Sequence, residues 1–246
     1  MEVEIYQLIL ISVIAFVASY IQSVTGFGFG IFAMIFLPSL LLYTEANMVS
    51  SMLSVFTSVF VMVQTFKKAS FKNIIFPLVG FLFTTCISVM FLKGAENEFL
   101  TLLLGCALFA LSIYFFFFSN KIKIRPTWYA GLIAGLLSGI LGGLFAMSGP
   151  PVVIYFMQSE EDSDHYLATL SAYFVISGMS SIFIKAGAGF ITANVWAGFA
   201  IGLIGMALGA VIGKKTREQI KPQILKKTVY AIMAISGIIN IVFSII

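Results

Sequence analysis

The chain has 246 residues, 60% of them hydrophobic and 10% charged, with a net charge of +4 and a mean hydropathy of +1.07. Soluble domains carry roughly 25% charged residues, so this chain has too few charges to clothe a surface facing water. Lipid must cover most of it, and at about 20 residues per spanning helix no separate soluble domain fits.

The first residues, Met1-Glu2-Val3-Glu4-Ile5, lack the positive start of a secretory signal, so the first apolar stretch is expected to stay in the protein. That stretch, Ile5–Thr44, is 40 residues long and is interrupted near its middle by Gly26, Gly28 and Gly30. It is too long for one span and short for two, and two partial helices joined at a glycine break fit it. Ordinary spans follow at Met48–Phe66, Ile74–Leu92 and Phe99–Phe118 by hydropathy. A second interrupted stretch, Thr127–Gln158, is 32 residues long. Its break is placed at Ser138, Gly139, Gly142 and Gly143. Spans at Tyr166–Ile184, Val195–Ile212 and Ile224–Ile245 complete the chain. Cys86 and Cys106 fall in apolar runs and read as small buried hydrophobes.

The two breaks align at an offset of 113 residues, with Gly26/Gly139, Gly30/Gly143, Phe32/Phe145, Ala33/Ala146 and Met34/Met147 identical. This pattern indicates an internal duplication. Residues 1–120 form a first repeat and 121–246 a second, together one transport domain. Each repeat is a broken hairpin plus three spans. If both broken stretches return to the side they entered, Lys67, Lys68, Lys72, Lys121, Lys123, Arg125, Lys214, Lys215, Arg217, Lys221, Lys226 and Lys227 share one face. Lys93 and Lys185 then lie opposite, a split of 12 to 2. A single crossing by the second stretch divides them 7 to 7. Positive residues gather on the cytoplasmic side, which favours the hairpins and puts both termini outside the cytoplasm. Three spans per repeat make the halves inverted. The fold class is therefore all-α and polytopic, with about eight helical units and the broken helices typical of secondary transporters.

Unwound backbone persists in a membrane only where protein or a watery cavity satisfies it. Partial-helix N-termini at such a break favour anions. The candidate substrate-binding residues are Gln22, Ser23, Thr25, Gly26, Gly28 and Gly30 at the first break. At the second they are Ser138, Gly139, Gly142, Gly143, Ser148, Gly149 and Pro150, with Thr169 and Tyr173 facing them from the next span. Ser171 and Ser177 face the same way. Glycine rows at Gly131/Gly135/Gly139/Gly143 and at Gly198/Gly202/Gly205/Gly209/Gly213 suit close helix packing. No ionisable residue falls clearly in the middle of a span, which argues against carboxylate relays and suits an anion held by neutral donors. The acidic link from Glu160 to His165 reads as a solvated loop that caps the next helix. Lys67 and Lys185 read as snorkelling side chains at span ends.

On Thr25–Met34 and Gly131–Pro151 the chain resembles the sulfite exporter TauE/SafE family of membrane permeases, over essentially its whole length. The resemblance implies a plasma-membrane carrier of sulfite, sulfonates or related small organic anions, in a family usually drawn with eight spans. The expected partners are a small anion and the lipid bilayer. A homo-oligomer is compatible with this reading, and no nucleic acid is implied. No cofactor, catalytic residue or metal site is expected, because no haem-ligand His pair, carboxylate pair or activated nucleophile is present. An anion channel using the same breaks as a filter is the alternative to an exporting carrier.

Overall fold

The computed structural model describes residues 4–117, 125–160, 162–217, 219 and 222–245, with side chains omitted in 222–228 and 243–245. Lys121, Lys123 and Lys221, three members of the basic face, lie outside the described residues, as does Phe118. The fold is all-α and no strand occurs among the described residues. The helices are α1 (Ile5–Thr25), α2 (Phe29–Phe36), α3 (Tyr43–Thr65), α4 (Phe71–Gly94), α5 (Asn97–Phe117), α6 (Trp128–Phe145), α7 (Gly149–Ser159), α8 (Ser163–Gly187), α9 (Ala193–Thr216) and α10 (Pro222–Ile245).

Seven of them, α1, α3, α4, α5, α6, α8 and α9, are long and apolar enough to cross a membrane. Polar caps set the starts of α6, α8 and α9. Thr127 accepts from the Ala130 amide, Asp162 from the Asp164 and His165 amides, and Thr192 from the Val195 amide. Outward side chains such as Val63, Phe83, Met90 and Ile204 are more than half exposed, an arrangement that only lipid stabilises. Cys86 and Cys106, expected inside, sit on this outer surface instead. They are small enough for lipid contact, and the packed faces of their helices are taken by other residues.

α1 lies along α9, α6 along α4, α5 along α10, and α3 along α8. Exchanging α1–α5 with α6–α10 carries this set of pairings onto itself. Glycines bring the first two pairs to backbone contact. A Cβ on Gly205, Gly209 or Gly213 would lie 1.9 Å, 2.1 Å or 3.0 Å from the carbonyls of Ser12, Phe16 and Tyr20. One on Gly135 or Gly139 would lie 2.0 Å or 2.4 Å from the carbonyls of Pro77 and Phe81. Without a hydrophobic drive between helices in lipid, such close approach is a main source of attraction.

These registers also fix directions. Ser12 to Tyr20 rises with Gly205 to Gly213, so α1 runs parallel to α9. Val49 and Leu53 approach Gly198 and Gly202, so α3 runs the same way. α6 runs parallel to α4, with Gly135 at Pro77 and Gly143 at Ser88. α8 is antiparallel to α3, because Lys185 meets Ser51 while Asp164 meets Lys68. α1 and α3 thus run opposite to α6 and α8.

Both broken stretches fold back. Leu41 and Ile11 come within 4 Å of one point, the would-be Cβ of Gly198, so the chain after α2 returns far along α1. Tyr155 likewise returns to Gly131, where a Cβ would meet its ring at 3.0 Å. The arms are unequal, however. α1 and α6 have 21 and 18 residues, against 8 and 11 for α2 and α7. Two partial helices were the expectation, but the first arm is of spanning length in both: α1 holds no glycine, and the glycines of α6 stay helical against α4.

Candidate anion site where two helix breaks meet

The first break is Gly26-Phe27-Gly28. Gly26 ends α1 at φ 86°, its amide donating to the Gln22 carbonyl, and Gly28 precedes α2 at φ 106°. Both angles lie in the left-handed region, where glycine is the natural occupant. Thr25 braces the turn, its hydroxyl 2.9 Å from the Ile21 carbonyl and 2.6 Å from that of Phe27. The second break is Ala146-Met147-Ser148. Ala146 has φ 54°, and the Met147 amide donates to the Leu141 carbonyl, closing α6 with a Schellman-type end. Gly139, Gly142 and Gly143 are therefore helical and are not the break. The residues preceding α2 and α7, Gly28 and Ser148, are 120 positions apart, so the sequence alignment at 113 is displaced by two helical turns. The displacement arose because α6 uses glycines for packing two turns before its end.

The two breaks touch. A Cβ on Gly30 would stand 1.8 Å from the Ala146 carbonyl oxygen, so only glycine allows this approach. Between them lies a pocket of about 20 Å³, lined by Gln22, Phe27 to Ile31, Ser54, Ala146 to Gly149 and Phe174. That is room for about one water molecule. The starts of α2 and α7 both abut it. Neither Gly28 nor Ser148 supplies a side-chain cap, and the first-turn N–H groups of a helix have no intrahelical acceptor. α2 offers the amides of Phe29, Gly30 and Ile31. α7 offers that of Gly149, since Pro150 and Pro151 have none. Gln22 reaches in from α1, its amide nitrogen 2.7 Å from Ser58 Oγ and its oxygen 3.3 Å from Ser54 Oγ.

Of the residues singled out from sequence, Gln22, Gly28, Gly30, Ser148 and Gly149 come together at the pocket. Ser138 and Tyr173 stand one step behind it. The Ser138 hydroxyl donates to the Ser148 carbonyl at 2.6 Å and lies 3.0 Å from the Tyr173 hydroxyl. Pro150 is buried in the first turn of α7. Gly26 turns against Leu167 and Leu170. Gly139 and Gly143 pack on α4, and a Cβ on Gly142 would meet Phe81 and Ser148. Ser23 faces α9, where its carbonyl accepts from the Arg217 guanidinium. Thr169 accepts from the Ser70 amide at 2.9 Å, at the start of α4, and Ser177 bonds the Tyr173 carbonyl.

Sequence reading missed α3. Asn47, Ser51, Ser54 and Ser58 recur at helical spacing on one face, a signal visible in the sequence. The Asn47 amide donates to the Gly143 and Leu144 carbonyls at 3.3 Å and 2.8 Å, and the Tyr43 hydroxyl to Leu144 at 3.0 Å. Lys185 does not snorkel. It is fully buried and donates to Ser51 Oγ at 2.7 Å and the Gly142 carbonyl at 3.2 Å. These donors meet carbonyls in the last turn of α6, of which that of Gly142 also accepts from the Ala146 amide. Glu45 is also buried, accepting from the Thr192 hydroxyl at 2.7 Å and the Asn194 amide at 3.2 Å.

The family model described as sulfite exporter TauE/SafE matches residues 11–239. The chain belongs to the TauE/SafE sulfite exporter family. It is thus a membrane transporter by family, and its helices are those of a multi-pass membrane protein. The matched range takes in both breaks and every residue of the TauE/SafE chain's central pocket. No curated protein and no solved structure matches it.

Proposed function

We propose that this chain is a secondary carrier that exports sulfite or a related small sulfonate across the plasma membrane, binding it between the two breaks. One observation carries the reading: the N-termini of α2 and α7, both uncapped, converge on a single narrow pocket. Converging N–H groups and helix dipoles in a narrow, protein-lined site favour an oxyanion. Sulfite, a sulfur with three oxygens, exceeds a space that fits about one water. The breaks must part to admit it, a movement that an alternating-access carrier makes.

Residues 1–120 and 121–246 act in this reading as inverted repeats. The exchange-symmetric pairings and the opposed directions of α1 and α6 support that. The ends and starts of helices bearing Lys67, Lys68, Lys72, Arg125, Lys214, Lys215 and Arg217 lie at one face, which is taken as cytoplasmic. The N-terminus is then outside. The test is flux into proteoliposomes for sulfite, sulfoacetate, a longer sulfonate, sulfate and acetate, each with and without a pH gradient. Saturable sulfite or sulfonate flux is expected. Folded protein that carries none of them contradicts the reading, and non-saturating flux makes it a channel.

A further inference from the structure

Lys185 is a base whose protonated form its surroundings leave uncompensated. It lies in the last turn of α8, where lysines ordinarily reach for water, yet it is fully buried. Its two acceptors, Ser51 Oγ and the Gly142 carbonyl, are neutral, and an ammonium has a third N–H. Taking such a charge out of water costs several kcal/mol unless an anion meets it.

No anion of the protein does. Among the described residues its ammonium makes no ion pair. From α3 the ionisable groups toward that end are Tyr43, bonded to the Leu144 carbonyl, and Glu45, whose carboxylate is held by Thr192 and Asn194. α4 brings only the exposed Lys93 there. α6 and α7 bring no ionisable side chain to that end. Unpartnered polar groups stand close instead. Ser181, one turn earlier on the same face of α8, is buried with its hydroxyl unbonded, and Asn47 Oδ1 is likewise unbonded.

The ammonium stands behind the pocket wall, outside its lining. The carbonyl it holds belongs to Gly142, where a Cβ would be 3.1 Å from the Ser148 side chain in the pocket wall. We propose that Lys185 pairs with the substrate oxyanion as it passes between the central pocket and the face where α8 ends, the Ser181 hydroxyl sharing the contact. This rests on the carrier reading above. It assigns the lysine as the binding step's one buried positive charge, a role that neutral donors and helix dipoles do not fill.

Two variants separate charge from structure. Lys185→Gln keeps a donor for the Gly142 carbonyl and loses the charge, whereas Lys185→Arg keeps the charge. In proteoliposomes with sulfite as the probe, Lys185→Gln is expected to raise KM about tenfold, the scale of one charge-assisted hydrogen bond. Lys185→Arg should stay within about threefold of the wild type, and Lys185→Gln, relieved of the buried charge, should have a thermal midpoint in detergent no lower than the wild type's. A wild-type KM in Lys185→Gln, or equal impairment of both variants, overturns the pairing and leaves Lys185 as a cap on α6. Should either variant not fold, Ser181→Ala decides, with KM raised about threefold for the pairing and unchanged KM against it. An inert wild type overturns the carrier reading and the pairing together, whereas normal wild-type flux with insensitive variants overturns only the pairing.

Discussion

In the first break the chain turns through two glycines, Gly26 and Gly28, whereas in the second it turns through Ala146. The first gives α2 three free amides. The second gives α7 one, because Pro150 and Pro151 follow at once, and it holds an alanine in a conformation that costs about 1 kcal/mol. The donors are therefore concentrated on the α2 side. On the α7 side the carbonyl end of α6 is gripped by Asn47, Tyr43 and Lys185, while at the end of α1 the Ile21 and Ser23 carbonyls accept from Thr25 and the Arg217 guanidinium. The contrast teaches that two stretches of like topology divide the work: one presents amides, and the other is braced by buried side chains.

Substitutions that break this contrast have graded effects. The largest is expected at Gly30, where even Gly30→Ala places a methyl 1.8 Å from the Ala146 carbonyl. Sulfite flux should fall to background, while the helices remain as judged by circular dichroism. Next come the packing glycines. Gly205→Leu and Gly139→Leu drive a side chain into the carbonyls of Ser12 and Phe81, and folded, monodisperse protein should be lost rather than flux alone. Gln22→Leu removes the pocket's one amide side chain and leaves Ser58 and Ser54 short of a partner. Flux should drop about tenfold, matching a lost buried hydrogen bond of 1–3 kcal/mol. The smallest effect is a gain: Ala146→Gly relieves the left-handed alanine and should stabilise the fold by about 1 kcal/mol, raising the thermal midpoint by roughly 2–4 °C. Gly26→Ala should shift it the other way.

The apolar helices were legible because an 18-residue apolar run has few fates, and the first break was legible because Gly26 and Gly28 sit where left-handed angles are needed. The second break was not. Its turn is made by Ala146, a residue with no bias toward φ above zero, while the conspicuous Gly139 and Gly143 serve contact with α4. Composition alone does not separate a glycine that bends the chain from one that lets a neighbour approach. Thr169 and Ser23 were drawn to the site by chain proximity, yet helix rotation turns them to Ser70 and to α9. Lys185 was misread for a related reason: its place near the end of a span suggested water, but the bundle closes over that end. The polar stripe of α3 was present in the spacing of Asn47, Ser51, Ser54 and Ser58, and became meaningful only once α3 lay beside both breaks.

The account centres on an oxyanion held between the starts of α2 and α7. Selenite, the heavier analogue of sulfite, tests this directly through anomalous diffraction from crystals of the full chain grown with it. A selenium peak is expected between the amides of Phe29, Gly30 and Ile31 and that of Gly149, with the breaks parted to admit it. A peak only elsewhere, or none in protein that carries selenite in liposomes, would contradict the account.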